Sequence, residues 1–131
     1  MREILFRAKN VWGKWCEGYL VKMPNYFRIS TRDDLLSFGV DAETIGQFTG
    51  LTDKNGKKIF EGDIVESEFT KKPYLVGFGE YTYTNEYGEE EGACGWYNEE
   101  KGGYLSAFAQ PDAWATVIGN IHDNPELLEA K

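Results

Sequence analysis

Apolar and β-branched residues between Ile45 and Glu66 come in three short runs, separated by turn-forming residues. The stretch reads as strand, tight turn, strand, turn, strand. Asn55-Gly56 is the strongest short-range hairpin signal in the chain, and it predicts a two-residue primed turn with positive φ at both central positions. Glu61-Gly62-Asp63 breaks the chain again, and Ile64-Val65 restarts a β-branched run.

The same reading extends outward. Glu3 to Ala8 alternates around Ile4 and Phe6 and predicts a first strand. Asn10 to Gly13 predicts a turn and Trp15 to Val21 a second strand, ended by Met23-Pro24-Asn25. Tyr26 to Ile29 is a further short strand. Between Ser30 and Asp41 the pattern is divided between a loop with buried leucines and a short helix. The helix would be capped by Thr31 or Asp33, run through Phe38 and stop at Gly39.

Tyr74 to Phe78 predicts another strand, and the Tyr/Thr alternation at 81–84 one more. Asn85 to Gly92 predicts a mobile loop. Trp96-Tyr97 and Tyr104 to Phe108 predict a strand pair, and Trp114 to Ile121 a strongly apolar strand. Asn124, Pro125 and Glu126 supply the N-cap, first position and dipole-matched acid of a C-terminal helix, docked by Leu127 and Leu128. Fifteen glycines and twenty aromatics weigh against a helical bundle. The expected fold is one mostly β domain over 1–131, a small barrel-like or rolled antiparallel sheet with short helical segments.

Charge sharpens this picture. The net charge of −8 opposes a general affinity for nucleic-acid backbones. Residues 1–60 carry 10 Lys/Arg against 7 Asp/Glu, and residues 61–131 carry 4 against 15. The second half therefore favours basic partners. Two cysteines, Cys16 and Cys94, are too few for a disulfide framework. No run approaches the ~20 apolar residues of a membrane helix, and the N-terminus lacks a signal-peptide pattern. A cytoplasmic protein is expected.

Three pieces of the chain resemble a known family. They are Arg2 to Ala8, Thr44 to Val65 and Val117 to Leu128, in the order in which they occur here. Together they are similar to the YopX-like proteins of Gram-positive bacteriophages and prophages; residues 10–43 and 67–113 do not carry the likeness. The resemblance implies a predominantly β domain with a barrel-like body, encoded by a phage or prophage and working inside the bacterial cell. It implies no activity and carries over no site residues.

Candidate chemistry is sparse. Glu61 and Asp63 flank Gly62 and would suit an acid/base pair or a hard cation. Local capping of the turn explains them more simply, with Asp63 accepting backbone N–H bonds. Asp53-Lys-Asn-Gly56 lacks the spaced carboxylates of a calcium loop. His122 is the single histidine, and with Cys16 and Cys94 it makes three dispersed ligands where structural zinc takes four. The glycines form no phosphate loop. No metal or cofactor is expected, and no catalytic residue is assigned.

Two surfaces remain. Tyr81, Tyr83, Tyr87, Glu89, Glu90 and Glu91 lie in an acidic, aromatic stretch suited to holding a host or phage protein. The alternative is that the tyrosines pack inward while the glutamates keep the domain soluble. Arg7, Lys9, Trp12, Lys14 and Trp15, with Arg2, interleave basic and aromatic residues and would suit single-stranded nucleic acid by stacking. Open sheet edges also allow self-association.

Overall fold

The computed structural model describes residues 4–31 and 36–129. Arg2 and the predicted capping residue Asp33 lie outside them. The chain forms two compact units, Met1–Gly50 and Leu51–Lys131.

The first unit is built from antiparallel ribbons: β1 (Phe6–Lys9), β2 (Trp15–Lys22), β3 (Phe27–Ser30), β4 (Ser37–Val40) and β5 (Gly46–Thr52), the last of which runs on past the boundary. The spatial order is β4-β3-β2-β1-β5. Among the described residues Leu5, Ala8, Ile29 and Phe48 are its buried apolar side chains. Gly18 permits the close approach of β3: a Cβ there would collide with the Ser30 carbonyl. Ser37 and Phe38 pair with Ser30 and Ile29 in an extended ladder. The predicted helix through Phe38 is therefore a strand at this end, because cross-strand pairing outweighs a weak local helix signal.

The second unit holds β6 (Lys58–Phe60), β7 (Asp63–Ser67), β8 (Pro73–Thr84), β9 (Glu90–Glu99), β10 (Leu105–Ala107) and β11 (Ala115–Asn120). Strands 7 to 11 form a sheet in the order β10-β9-β8-β7-β11. Ile59, Val65, Val76, Phe108 and Ala115 make its apolar cluster, with Leu51, Tyr74, Trp96, Trp114 and Val117 packed against it. Burying each large aliphatic side chain of this kind is worth roughly 2 kcal/mol.

Both sheets are antiparallel and open, and neither strand order returns to its start. The expected mostly β fold is present; the expected barrel-like closure is not. Short 3₁₀ turns, not α-helices, connect the described strands. At the C-terminus Pro125–Leu128 is a single 3₁₀ turn, not the start of an α-helix. Its capping residue Asn124 accepts the N–H of Asn120 instead, at 3.3 Å. One helical turn forms too few bonds to offset its nucleation cost.

One turn recurs through the molecule. In Asn10–Lys14, Asp53–Lys57, Asn85–Glu89 and Glu100–Tyr104 the first residue donates its N–H to the fifth residue's carbonyl, and the fourth, a glycine, donates to the first. Each of those glycines has positive φ. This is a three-residue loop closed by a glycine bulge. Asn55 is not among the positive-φ residues, so the predicted primed turn at Asn55-Gly56 is replaced by this longer one. The reason is Asp53, whose Oδ1 accepts the N–H groups of Asn55 and Lys57, both at 2.9 Å. Likewise the predicted mobile loop at 85–92 is a tight turn held by Asn85, and β9 has begun by Glu90.

Candidate functional site

The acidic, aromatic stretch folds into the distal half of the β8–β9 hairpin. The two short strands predicted at 74–78 and 81–84 are one continuous twelve-residue strand. It pairs with β9 from Leu75↔Glu99 to Thr84↔Glu90. The rest of the sheet covers only the base of this hairpin: β7 reaches Leu75 on one side and β10 reaches Tyr97 on the other. Beyond those points β8 and β9 continue as a two-stranded ribbon.

The strand period divides the side chains between two faces. One face carries Tyr97, Tyr81 and Tyr83 in succession. The Tyr97 ring lies over Gly77, where a Cβ would come within 2.7 Å of it. This cross-strand packing fills the space that the glycine leaves. Tyr81 meets Tyr97 edge-on at 6.1 Å between ring centres, a geometry that aromatic quadrupoles favour. Tyr83 donates its hydroxyl to Glu91 Oε2 at 2.8 Å. Asn85 donates to the other oxygen, Oε1, at 2.7 Å.

Those bonds tune two groups. The hydrogen bond to Glu91 and its negative charge push the Tyr83 phenol up. The bonds from Asn85 and Tyr83 hold the Glu91 carboxyl below its ordinary value. The opposite face carries Phe78 against Trp96, edge-on at 5.0 Å. Above that pair a shallow hollow of about 480 Å³ is lined by Glu80, Thr82, Gly92, Ala93 and Cys94.

Of the predicted interface residues, Tyr83, Glu89, Glu90 and Glu91 are exposed on the ribbon, and Tyr87 at its tip is 79% exposed. Tyr81 is half-buried, part of the tyrosine ladder. Phe78, 53% exposed, belongs to the same ribbon and was not among the predicted site residues. By the strand period Phe78 shares a face with the buried Val76, so alternation alone reads it as a core position.

The basic and aromatic residues of the N-terminal half meet on the β1–β2 hairpin. Lys9 pairs directly with Trp15. The Arg7 guanidinium lies 4.8 Å from the Trp15 ring centre and the Lys9 ammonium 5.4 Å. Both distances are within cation–π range. Trp12 stands exposed in the adjoining turn, whose Asn10 side chain accepts the N–H groups of Trp12 and Lys14.

The remaining candidates fall into structural places. Asp63 is buried, and its Oδ2 accepts the N–H of Phe60 at 2.8 Å. It holds the Glu61-Gly62 turn, as its position in the sequence suggests. His122 is exposed and comes close to this turn: a Cβ at Gly62 would lie 3.7 Å from its Nε2. Cys16 and Cys94 are free thiols. Among the described residues no three His, Cys, Asp or Glu gather as metal ligands. No described helix is long and apolar enough to cross a membrane.

Fold and surface define an all-β protein of two open antiparallel sheets with an aromatic cluster in its C-terminal half. Phe108 and Tyr74 both pack edge-on against Trp114 in that cluster. The family model described as YopX protein matches residues 7–129, and the chain belongs to the YopX family. No curated protein matches it.

Proposed function

We propose that this chain is a phage- or prophage-encoded accessory protein, without enzymatic activity, that binds a host or phage protein inside the bacterial cell. The contact surface in this reading is the distal half of the β8–β9 ribbon. One observation supports it above the rest: Phe78, Tyr83 and Tyr87 are exposed on a segment rich in acid. Between Lys72 and Lys101 the chain carries seven glutamates and no lysine or arginine. Aromatic anchors give a contact its energy, and a uniform charge gives it orientation and rate.

The test is capture of partners from host lysate at moderate salt by the tagged chain and by the variant Glu89→Lys/Glu90→Lys/Glu91→Lys. The variant is expected to lose a partner that the natural chain retains. Retention of every partner would remove this surface from consideration.

A further inference from the structure

Among the described residues the outward edge of β8 has no strand partner beyond Val76. Asn85 donates its N–H to the Glu89 carbonyl at 2.8 Å, which makes 85 and 89 a directly bonded pair. Antiparallel ladders alternate, so the backbone groups of Tyr83 and Tyr81 point across to β9. Those of Thr84, Thr82, Glu80 and Phe78 point away from it. Two bonds at the base of the ribbon fit the same alternation: Val76 accepts from Gly62 on one edge, and Trp96 accepts from Phe108 on the other. Among the described residues no strand pairs with β8 on that side above Leu75. Phe78, Glu80, Thr82 and Thr84 are all exposed.

Such edges are ordinarily blunted by proline, lysine or a bulge. From Val76 to Thr84 this one has no proline and no lysine, and its register with β9 is unbroken. The Tyr-Thr alternation has high strand propensity. We propose that the Phe78–Thr84 edge accepts a basic, extended segment of another protein as an added strand. This rests on the reading of the ribbon as a protein-binding surface and specifies the partner's chemistry.

Charge selects the occupant. A strand laid beside β8 would set alternate side chains on the face that holds Glu80 and the hollow beside it. The small residues Gly92 and Cys94, opposite Thr82 and Glu80, leave that hollow open to a long cationic side chain. A second copy of the chain would bring five glutamates of its own ribbon, from Glu80 to Glu91, against the same five, and like charges disfavour that pairing.

The test uses the full chain and a seven-residue peptide alternating lysine and valine, with a glutamate-valine peptide as control. Amide hydrogen exchange at low salt, read by NMR, is expected to slow at Phe78, Glu80, Thr82 and Thr84 with the lysine peptide alone. Thr82→Pro removes one outward N–H while leaving the β8–β9 ladder its bonds. It is expected to weaken peptide binding by about tenfold. Slowing only at Glu90, Gly92 and Cys94, slowing nowhere, or equal binding of the glutamate peptide would overturn the proposal. Should Thr82→Pro disturb the ribbon, the exchange pattern of the natural chain decides alone. A host partner lost by the triple lysine variant but kept by Thr82→Pro would leave the binding surface standing and defeat strand addition.

Discussion

Asp53 Oδ2 accepts the backbone N–H of Val117 at 2.9 Å, across 64 residues of chain. The other oxygen of the same carboxylate closes the turn that joins β5 to β6. One buried side chain therefore fixes a local turn and ties it to β11. The carbonyl of Ala115 strengthens the tie by accepting the N–H of Lys54 at 2.9 Å.

Replacing Asp53 with alanine is expected to destabilise the fold by about 3 kcal/mol. Three backbone donors lose a charged acceptor, and Asp53 is only 3% exposed, so water replaces that acceptor poorly. Asn85→Ala removes the corresponding turn acceptor on the exposed ribbon and should cost about 1 kcal/mol. Urea denaturation of the two variants measures both. Equal losses would mean that the bond to Val117 contributes nothing.

Asp53 also predicts a pH dependence. Burial pushes its carboxyl up, but the N–H groups of Val117, Lys57 and Asn55 outweigh that and hold it below the ordinary value. A depressed carboxyl contributes stability that is full above the unfolded value of about 3.9. That contribution is lost as pH falls through the folded value. Asp53→Asn should therefore be less stable than the natural chain at neutral pH, with the gap narrowing in acid. Denaturation midpoints taken from neutral pH down into the acid range check this.

Gly77→Ala should cost about 2 kcal/mol, because the new methyl meets the Tyr97 ring and must displace it. In the background of Tyr97→Ala the same change should cost far less. A double-mutant cycle reads the coupling directly. Additive losses would show that the ring does not rest on the glycine.

Glu91→Gln should bring the Tyr83 phenol back toward its ordinary value. It removes the carboxylate whose hydrogen bond and charge hold the phenol up. Ultraviolet titration of the variant against the natural chain shows the change as a downward move in one tyrosine. An unchanged titration would place Glu91 elsewhere in solution.

The chain's β character, most strand positions and the acid-rich stretch were legible from residue types. β-branched and aromatic runs between glycine-bearing turns leave few alternatives, because helix propensity and helical periodicity both fail there. The repeated turn was also written in the chain, as Asn or Asp three places before glycine at Asn10, Asp53 and Asn85. At Asp53 the more familiar Asn-Gly signal masked it. Local patterns could not show that 85–92 closes tightly, since a polar composition suits a tight turn as well as a loop. Nor could they show that Pro125–Leu128 stops after one turn.

What residue order fixed by itself is most of the extended segments, most of the places where they reverse and the sign of the charge along the chain. Those depend on neighbours a few positions away. Tertiary structure alone decided that the sheets stay open, that Asp53 reaches Val117, that Tyr97 lies over Gly77 and that one edge of β8 is left uncovered. Each depends on residues far apart in the chain, whose pairing is selected by the packing of the whole sheet.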